Sequence, residues 1–425
     1  MQNEMRKATP RKRKAKKSDG KRRDNKGVIL KMGEYQRPDG RYLYKYKGRS
    51  GQKKVIYATS LNELREKERE VEQDRLDGIR TMENCTINDM FDLWCQVKRG
   101  LKDNTFQNYK YMYNTYVSPE FGRINVKELK KTDVKAFYNR LVDGERLRVH
   151  TLDVIQNVLH QILDVAVDDR YIRVNPLDNA LSELKRARGK DTKKRKALTL
   201  TEQRAFLDYI HDHPIYSRWY PIFSFMIGTG MRVGEVTGLR WCDVDIEEKW
   251  IDVNHTLVYY DHGNKHCAYE INTTKTEAGT RVIPMLDMVK EALLLEKKNQ
   301  DEAGLTCKSS ICGYTDFIFL NRFGEVTNNG MLNKAISRII RDHNDEELAR
   351  DSGHAKLIPK FSCHSLRHTF TTRMIEAGVN IKVVQEILGH TDVSTTLNIY
   401  ADATKDLKRS EFAGLNDYLK KAKGA

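Results

Sequence analysis

Four separated segments of the chain carry side chains able to act on a phosphate. In Gly228-Thr229-Gly230-Met231-Arg232-Val233-Gly234-Glu235 an apolar run ends in glycines and a new helix opens at Arg232, so backbone amides and a guanidinium meet at one helix start. That arrangement suits an anion, although a glycine-rich junction with an arginine is, taken alone, usually a surface feature. Thr274-Lys275-Thr276 begins a turn before Arg281-Val282-Ile283-Pro284, which sets Lys275 on or beside a β-hairpin. Most hairpin lysines are simply solvated, but a mobile hairpin can bring an ammonium to a reacting phosphate and protonate a departing alkoxide. Phe361-Ser362-Cys363-His364-Ser365-Leu366-Arg367 opens a helix capped by Ser362. There His364 and Arg367 fall on one face, as an oxyanion site or as a plain surface pair. Leu388-Gly389-His390 ends a further helix and Tyr400 follows at a distance; by itself that tyrosine reads as core.

The elements that must hold these residues follow from periodicity and capping signals. Thr199 to Ile210 reads as a capped helix and Ile222 to Met226 as a buried one. Trp250 to Val258, Ala268 to Thr274 and Arg281 to Pro284 read as short strands, with several helices after them. Upstream, Thr86 heads a helical segment carrying Ile87, Met90, Phe91 and Trp94. Val134, Phe137, Tyr138 and Leu141 mark a second helix, and Leu152, Ile155, Val158, Leu159, Ile162, Leu163 and Val165 a third. The stripe Phe106, Tyr109, Tyr111, Tyr113 and Tyr116 is mostly packing; with Lys102, Arg123 and Lys127 nearby, a minority can face a nucleic acid.

Nearer the N-terminus, Val28-Ile29-Leu30, Tyr42 to Tyr46 and Val55 to Tyr57 alternate with turns at Pro38-Asp39-Gly40 and Gly48 to Gly51, predicting a three-stranded antiparallel sheet. Ser60 with Glu63 fits a capping box and Gly78 a helix end, so one helix follows. Arg37, Arg41, Lys45, Lys47, Lys53 and Lys54 sit on these strands and turns, and one face could enter a major groove as a β-ribbon does. Two stretches lack a core altogether. The first, through Arg23, is either a solubilising tail or a basic arm along DNA phosphates. The second, Lys185 to Lys196, contains Lys193 and Arg195 and reads as a charged linker.

At 425 residues the chain exceeds the usual span of one core, implying about two to three domains. A formal net charge of +16 points to a polyanionic partner, nucleic acid or an anionic membrane surface. No apolar run approaches the roughly 20 residues needed to span a bilayer, and no apolar stretch follows the basic start, so a soluble, intracellular protein is expected. The seven cysteines are scattered and read as reduced thiols. His262, His266 and Cys267 lie close together without a fourth ligand nearby, as a solvated turn would, so no metal is expected.

In combination, the four phosphate-directed segments resemble the tyrosine recombinase and integrase family, whose catalytic plan is shared with type IB topoisomerases. The likeness is greatest to the integrases of conjugative transposons. In that family an arginine follows a Thr-Gly pattern, a lysine sits on a hairpin, His-x-x-Arg opens a helix, and Leu-Gly-His precedes a nucleophilic tyrosine. The resemblance implies a multidomain α+β chain: a disordered basic arm (1–23), a small three-stranded sheet plus helix binding arm-type DNA sites (24–80) and an all-helical core-binding domain (83–180). A basic linker (181–196), a mainly helical catalytic domain with a small antiparallel sheet (197–403) and a C-terminal helix and tail (404–425) would follow.

By the same resemblance Tyr400 would attack phosphorus to form a 3′-phosphotyrosine, Arg232 and Arg367 would grip the non-bridging oxygens, and Lys275 would protonate the leaving 5′ oxygen. His364 would assist proton transfer from Tyr400 and His390 would hydrogen-bond the phosphate. Glu235 would support the site or simply form a structural salt bridge. No cofactor would be needed, because the tyrosine linkage stores the phosphodiester energy. The partners implied are double-stranded DNA at element ends and target sites, a homo-tetramer on two duplexes joined through a Holliday junction, and an accessory excision factor. The place implied is the cytoplasm, at the bacterial nucleoid. Leu407, Phe412, Leu415 and Leu419 form a stripe that would dock on a neighbouring protomer or on its own domain. A chromosome-dimer resolvase fits less well, since those chains are shorter and lack the N-terminal sheet. A DNA-binding protein without chemistry is disfavoured by the presence of Tyr400.

Overall fold

In the computed structural model the described residues are 20–47, 53–79, 85–188, 197–263, 266–273, 279–350, 355–390, 392, 394 and 396–397. Most of the basic arm, the turn at Gly48 to Gly51, Lys193, Arg195, Lys275, Tyr400 and the C-terminal stripe lie outside them. The chain forms two compact units, divided between Asp191 and Thr192. Among the described residues no helix is long and apolar enough to cross a membrane.

The first unit begins with an antiparallel sheet, β1 (Glu34–Gln36), β2 (Tyr42–Lys47) and β3 (Lys53–Ala58), in that spatial order. Its first strand is not the expected Val28-Ile29-Leu30. The Asp24 carboxylate accepts from the backbone of Lys26 (2.9 Å) and Val28 (2.7 Å), which curls that segment into a turn. Leu30 drops from it into the small core with Tyr42, Ala58 and Leu64. Leu30 alone of the triplet thus supplies a plug where a strand was expected, while Val28 and Ile29 stay exposed. Helix α1 (Leu61–Leu76) closes the core. Ser60 Oγ accepts from Glu63 N (3.2 Å), as a cap should, but the Glu63 carboxylate reaches one residue further back, to Thr59 N (2.9 Å).

The rest of the unit is helical: α2 (Ile87–Val97), α3 (Asp103–Met112), α4 (Lys131–Asp143), α5 (Val149–Asp168) and α6 (Ser182–Arg188). Thr86 caps α2 through a reciprocal box with Asp89. Leu152, Ile155, Leu159, Ile162 and Ala166 recur at helical spacing along α5 and are fully buried. The aromatic stripe divides as helical geometry requires. Tyr113 is buried with its hydroxyl on Asn88 Oδ1 (2.8 Å), Phe106, Tyr109 and Tyr116 pack partly against the core, and Tyr111 is exposed. The expected linker starts late, because Ser182 to Arg188 are helical. Lys185 pairs with Asp153 (2.5 Å) and Arg188 with Asp143 (2.8 Å), so this part of the basic run meets acids of the helical core.

The second unit comprises α7 (Leu200–His211), α8 (Tyr220–Thr229), α9 (Val233–Gly238), α10 (Asp287–Ala303), α11 (Asn329–Arg350), α12 (Cys363–Glu376) and α13 (Ile381–Leu388). Two small antiparallel sheets join them: β4 (Val244–Asp245), β5 (Trp250–Val253) and β8 (Arg281–Pro284) in the order β4-β5-β8, and the pair β6 (His255–Asp261) and β7 (Cys267–Thr273). The expected strand from Trp250 to Val258 is therefore two strands of different sheets. They break at Asn254, whose amide donates to Asp252 (2.9 Å) and Asp243 (3.3 Å). Helix α8 runs through the core, buried from Pro221 to Thr229, and packs with Phe206, Ile251, Ile283, Leu293, Ile336 and Leu366. Burial on all sides explains why its sequence is apolar without an amphipathic stripe.

Candidate active site

The site is assembled where three chain reversals meet. Helix α8 ends at Gly230, in the left-handed conformation (φ +61°), and a Cβ there would lie 2.2 Å from the Phe370 ring. Only glycine permits both the turn and the close approach of α12. The chain then enters α9 with Arg232 at its N-cap, where the Glu235 carboxylate accepts from Arg232 N (2.9 Å). Helix α13 ends at Gly389, also left-handed (φ +65°).

Arg367 lies one turn into α12 and is 5% exposed. Its guanidinium donates to Gly230 O (2.9 Å) and Leu388 O (2.7 Å). Arg232, whose side chain is 43% exposed, donates to Glu235 Oε1 (2.8 Å) and Gly389 O (3.0 Å). Each guanidinium has five N–H donors, so each retains some for a ligand. Glu235 is buried and also receives Arg281, through Nη2 to Oε2 (2.8 Å) and Nη1 to Oε1 (3.3 Å). Burial pushes its carboxyl up, but the hydrogen bond and charge of Arg281, with Arg232 beside it, hold it below the usual carboxylate range.

Among the described residues three guanidiniums face one carboxylate, leaving the cluster short of negative charge. The shortage is visible in Arg367, which burial and the neighbouring Arg232 push down to about 9. It is visible again in His390, which burial and then Arg367, Arg232 and Arg281 push down to about 4. His390 is neutral near pH 7 as a result. Its Nδ1 lies 2.9 Å from Thr396 Oγ1. If the Thr396 hydroxyl donates in that bond, the Nε2–H is available to a ligand oxygen.

Arg232, Glu235, Arg367 and His390 are thus brought together from segments far apart in the chain. His364 and Arg367 diverge: Arg367 is buried, whereas His364 is exposed in the first turn of α12 with its ring edge-on to His368 (5.6 Å). His368 in turn acts on His390 electrostatically. Lys275 falls between the end of β7 and the start of β8, and Tyr400 beyond Leu397, both outside the described residues. Sequence reasoning missed Arg281 and Thr396. The sequence pattern marks Arg281 only as the start of a strand. Its side chain is 7% exposed, and an arginine on a buried strand position needs a partner, which was the signal available.

On the first sheet, alternation sorts the expected DNA contacts. Lys45, Lys47 and Lys53 share the face opposite α1 with exposed Tyr35, Val55 and Tyr57. Lys54 pairs with Tyr46 on the α1 side, so it does not share that face. Lys45 and Arg22 lie over the Tyr35 ring (5.1 and 4.5 Å), Arg37 lies near Tyr57 (5.8 Å), and Arg41 is near Asp39 (3.8 Å). Arg123 is exposed in a short turn and Lys102 stands at the N-cap position of α3. His262 and His266 close the tip of the β6–β7 hairpin through backbone bonds. Among the described residues no three His, Cys, Asp or Glu side chains group closely enough to hold a metal ion.

Comparison with known proteins places these features. Residues 196–406 match the phage integrase family, residues 18–75 the DNA binding domain of Tn916 integrase, and residues 86–142 the N-terminal SAM-like domain of phage integrases. The transposase of transposon Tn916 from Enterococcus faecalis is 31% identical over 417 residues, covering 93% of this chain and 97% of the relative. The transposase of Tn1545 from Streptococcus agalactiae matches equally, at 31% over the same coverage. Among solved structures, the Tn1549 transposon integrase in complex with a circular intermediate DNA superposes with a TM-score of 0.67 at 28% identity, over 78% of this chain and 99% of that one. The chain belongs to the phage integrase family and is a tyrosine-type site-specific recombinase.

Proposed function

We propose that this protein integrates and excises a mobile element by cutting and rejoining DNA through a 3′-phosphotyrosine on Tyr400. The observation that carries the proposal is the convergence of Arg232, Arg367 and His390 on one end of α13 with positive charge in surplus. A phosphodiester brings one negative charge, and its pentacovalent transition state brings a second. Donors fixed before that charge develops stabilise the transition state more than the ground state. Arg232 and Arg367 are the groups to hold the non-bridging oxygens, with neutral His390 as a third donor. Glu235 orients Arg232.

Lys275 is assigned the proton delivered to the leaving 5′ oxygen, and His364 the proton leaving Tyr400. Exposure of His364 at a helix start suits a group that must exchange protons. The outer face of the first sheet, with Lys45, Lys47, Lys53, Arg37, Tyr35 and Tyr57, is the surface for arm-type DNA sites. Arg41, Lys102, Arg123, Lys193 and Arg195 add phosphate contacts. The domain limits follow from the same reading, with one change from the helix that ends at Arg188: a basic arm to residue 23, the sheet domain to 80, the helical domain from 83 to 188, and the catalytic domain from 197 to 403. Assembly as a tetramer on two duplexes, with an accessory factor for excision at the nucleoid, completes the proposal. The identity to transposon transposases across nearly the whole chain supports the choice of a mobile element over chromosome-dimer resolution.

The test is a nicked suicide substrate. The wild-type protein should yield an adduct that survives denaturing electrophoresis, and Tyr400→Phe should yield none. An undiminished adduct from Tyr400→Phe would overturn the assignment.

A further inference from the structure

A helix leaves its last carbonyls without intrahelical partners. At the end of α13 the chain closes on two of them itself: Gly389 N donates to Glu386 O (3.0 Å) and His390 N to Gln385 O (3.1 Å). The next three carbonyls each accept from an arginine carried by a different element. Ile387 O takes Nε of Arg281 (2.5 Å), Leu388 O takes Nη2 of Arg367 (2.7 Å) and Gly389 O takes Nη2 of Arg232 (3.0 Å). The negative end of the helix dipole favours cations there.

We infer that Arg281 is a positioning residue for the recombination chemistry: it locks the end of α13 and the Glu235 carboxylate, and through both it fixes the two arginines of the phosphate clamp. The inference rests on Arg232 and Arg367 being that clamp. Arg281 itself is committed elsewhere. Nε serves Ile387 O, Nη1 serves Glu235 Oε1 and Gly279 O (both 3.3 Å), and Nη2 serves Glu235 Oε2. Four of its five donors are therefore engaged, and its side chain is buried.

Glu235 divides its two oxygens between Arg281 and Arg232. With Arg281 gone, the guanidinium still hydrogen-bonded to the buried carboxylate among the described residues is that of Arg232, which is drawn inward, away from a bound phosphate. Ile387 O loses its partner in the same change, and the reversal carrying Leu388 O and Gly389 O, on which both clamp arginines rest, loosens. The loss falls on the charged transition state, where a misplaced donor costs most.

The experiment uses full-length protein and two suicide DNAs, one with an ordinary scissile phosphate and one with a neutral methylphosphonate there. Arg281→Met should slow cleavage of the phosphate by roughly 10²-fold, the scale of one preorganised donor. DNA affinity and methylphosphonate cleavage should both stay within about threefold of wild type, because binding develops no new charge and the methylphosphonate transition state carries one negative charge fewer than that of the phosphate. Arg281→Lys keeps a cation on Glu235 but has a single donor group in place of the fork, and should lose roughly 10-fold on the phosphate alone. Equal losses on both DNAs, or no loss on either, overturn the inference. Should Arg281→Met melt early, Arg281→Lys, which retains the buried charge pair, decides by the same ratio. Tyr400→Phe run alongside reports separately on the nucleophile: an adduct there defeats that assignment, while the ratio between the two DNAs still reads the clamp.

Discussion

Lys45, Lys47 and Lys53 on the outer face of the first sheet, and Arg232, Arg281 and Arg367 around the end of α13, are both clusters of cations, built in opposite ways. The lysines stand on alternate positions of two strands, in solvent, with aromatic rings between them. Lysine is a point charge on a flexible stem, so such a surface attracts a polyanion and adapts to it. The arginines are tied to backbone carbonyls and a buried carboxylate, with Arg367 and Arg281 almost fully enclosed. Their planar donors are fixed before any ligand arrives. On the proposed reading, exposed charge serves affinity and enclosed charge serves rate.

Substitutions separate the two. The largest effect is expected from Arg367→Met, which should lower covalent adduct formation at saturating DNA by roughly 10³-fold while binding changes little. It also leaves Gly230 O and Leu388 O without their partner, so a melting curve should show a loss of about 1–3 kcal/mol per carbonyl left unpaired. A fall in binding to match the fall in rate would erase the contrast.

The paired change Lys45→Ala with Lys47→Ala should do the reverse. Titrations at several salt concentrations should show binding weakened across DNA sequences and the salt slope reduced by roughly one for each phosphate contact removed. Adduct formation at saturating DNA should be unaltered. A slope unchanged from wild type would remove the sheet from the DNA interface.

The smallest effect concerns His390, held at about 4 against an ordinary 6.5. Between those values the unfolded chain binds a proton that the folded site refuses, so stability falls as the pH drops through the window and is fully retained above it. Thermal melts of wild type and His390→Gln across that range should converge at low pH, because the variant lacks the penalty. Parallel curves would show that burial and the neighbouring arginines do not depress this histidine.

The enclosed cluster was partly legible because its helix starts and stops announce themselves. Glycine before Arg232, Ser362 before His-x-x-Arg and glycine before His390 are local signals, and each prepared a residue that the fold brings into the site. Thr86 and Thr199 announced their helices in the same way, and both cap them through reciprocal boxes. Arg281 was illegible because its partners, Glu235 and Ile387, lie 46 and 106 residues away. Val28 to Leu30 misled because an apolar triplet does not reveal that Asp24 will capture its backbone. Trp250 to Val258 misled because a change of sheet at Asn254 leaves the hydrophobic pattern continuous. The sheet face, by contrast, needs only period two, which sets Lys54 on the α1 side, apart from Lys45, Lys47 and Lys53.

The account turns on which atom becomes joined to DNA. Digestion of the trapped adduct and mass spectrometry of the DNA-linked peptide address this directly. The nucleotide should be found on Tyr400, attached through a 3′ phosphate. A nucleotide on any other residue, or attachment through a 5′ phosphate, would contradict the mechanism.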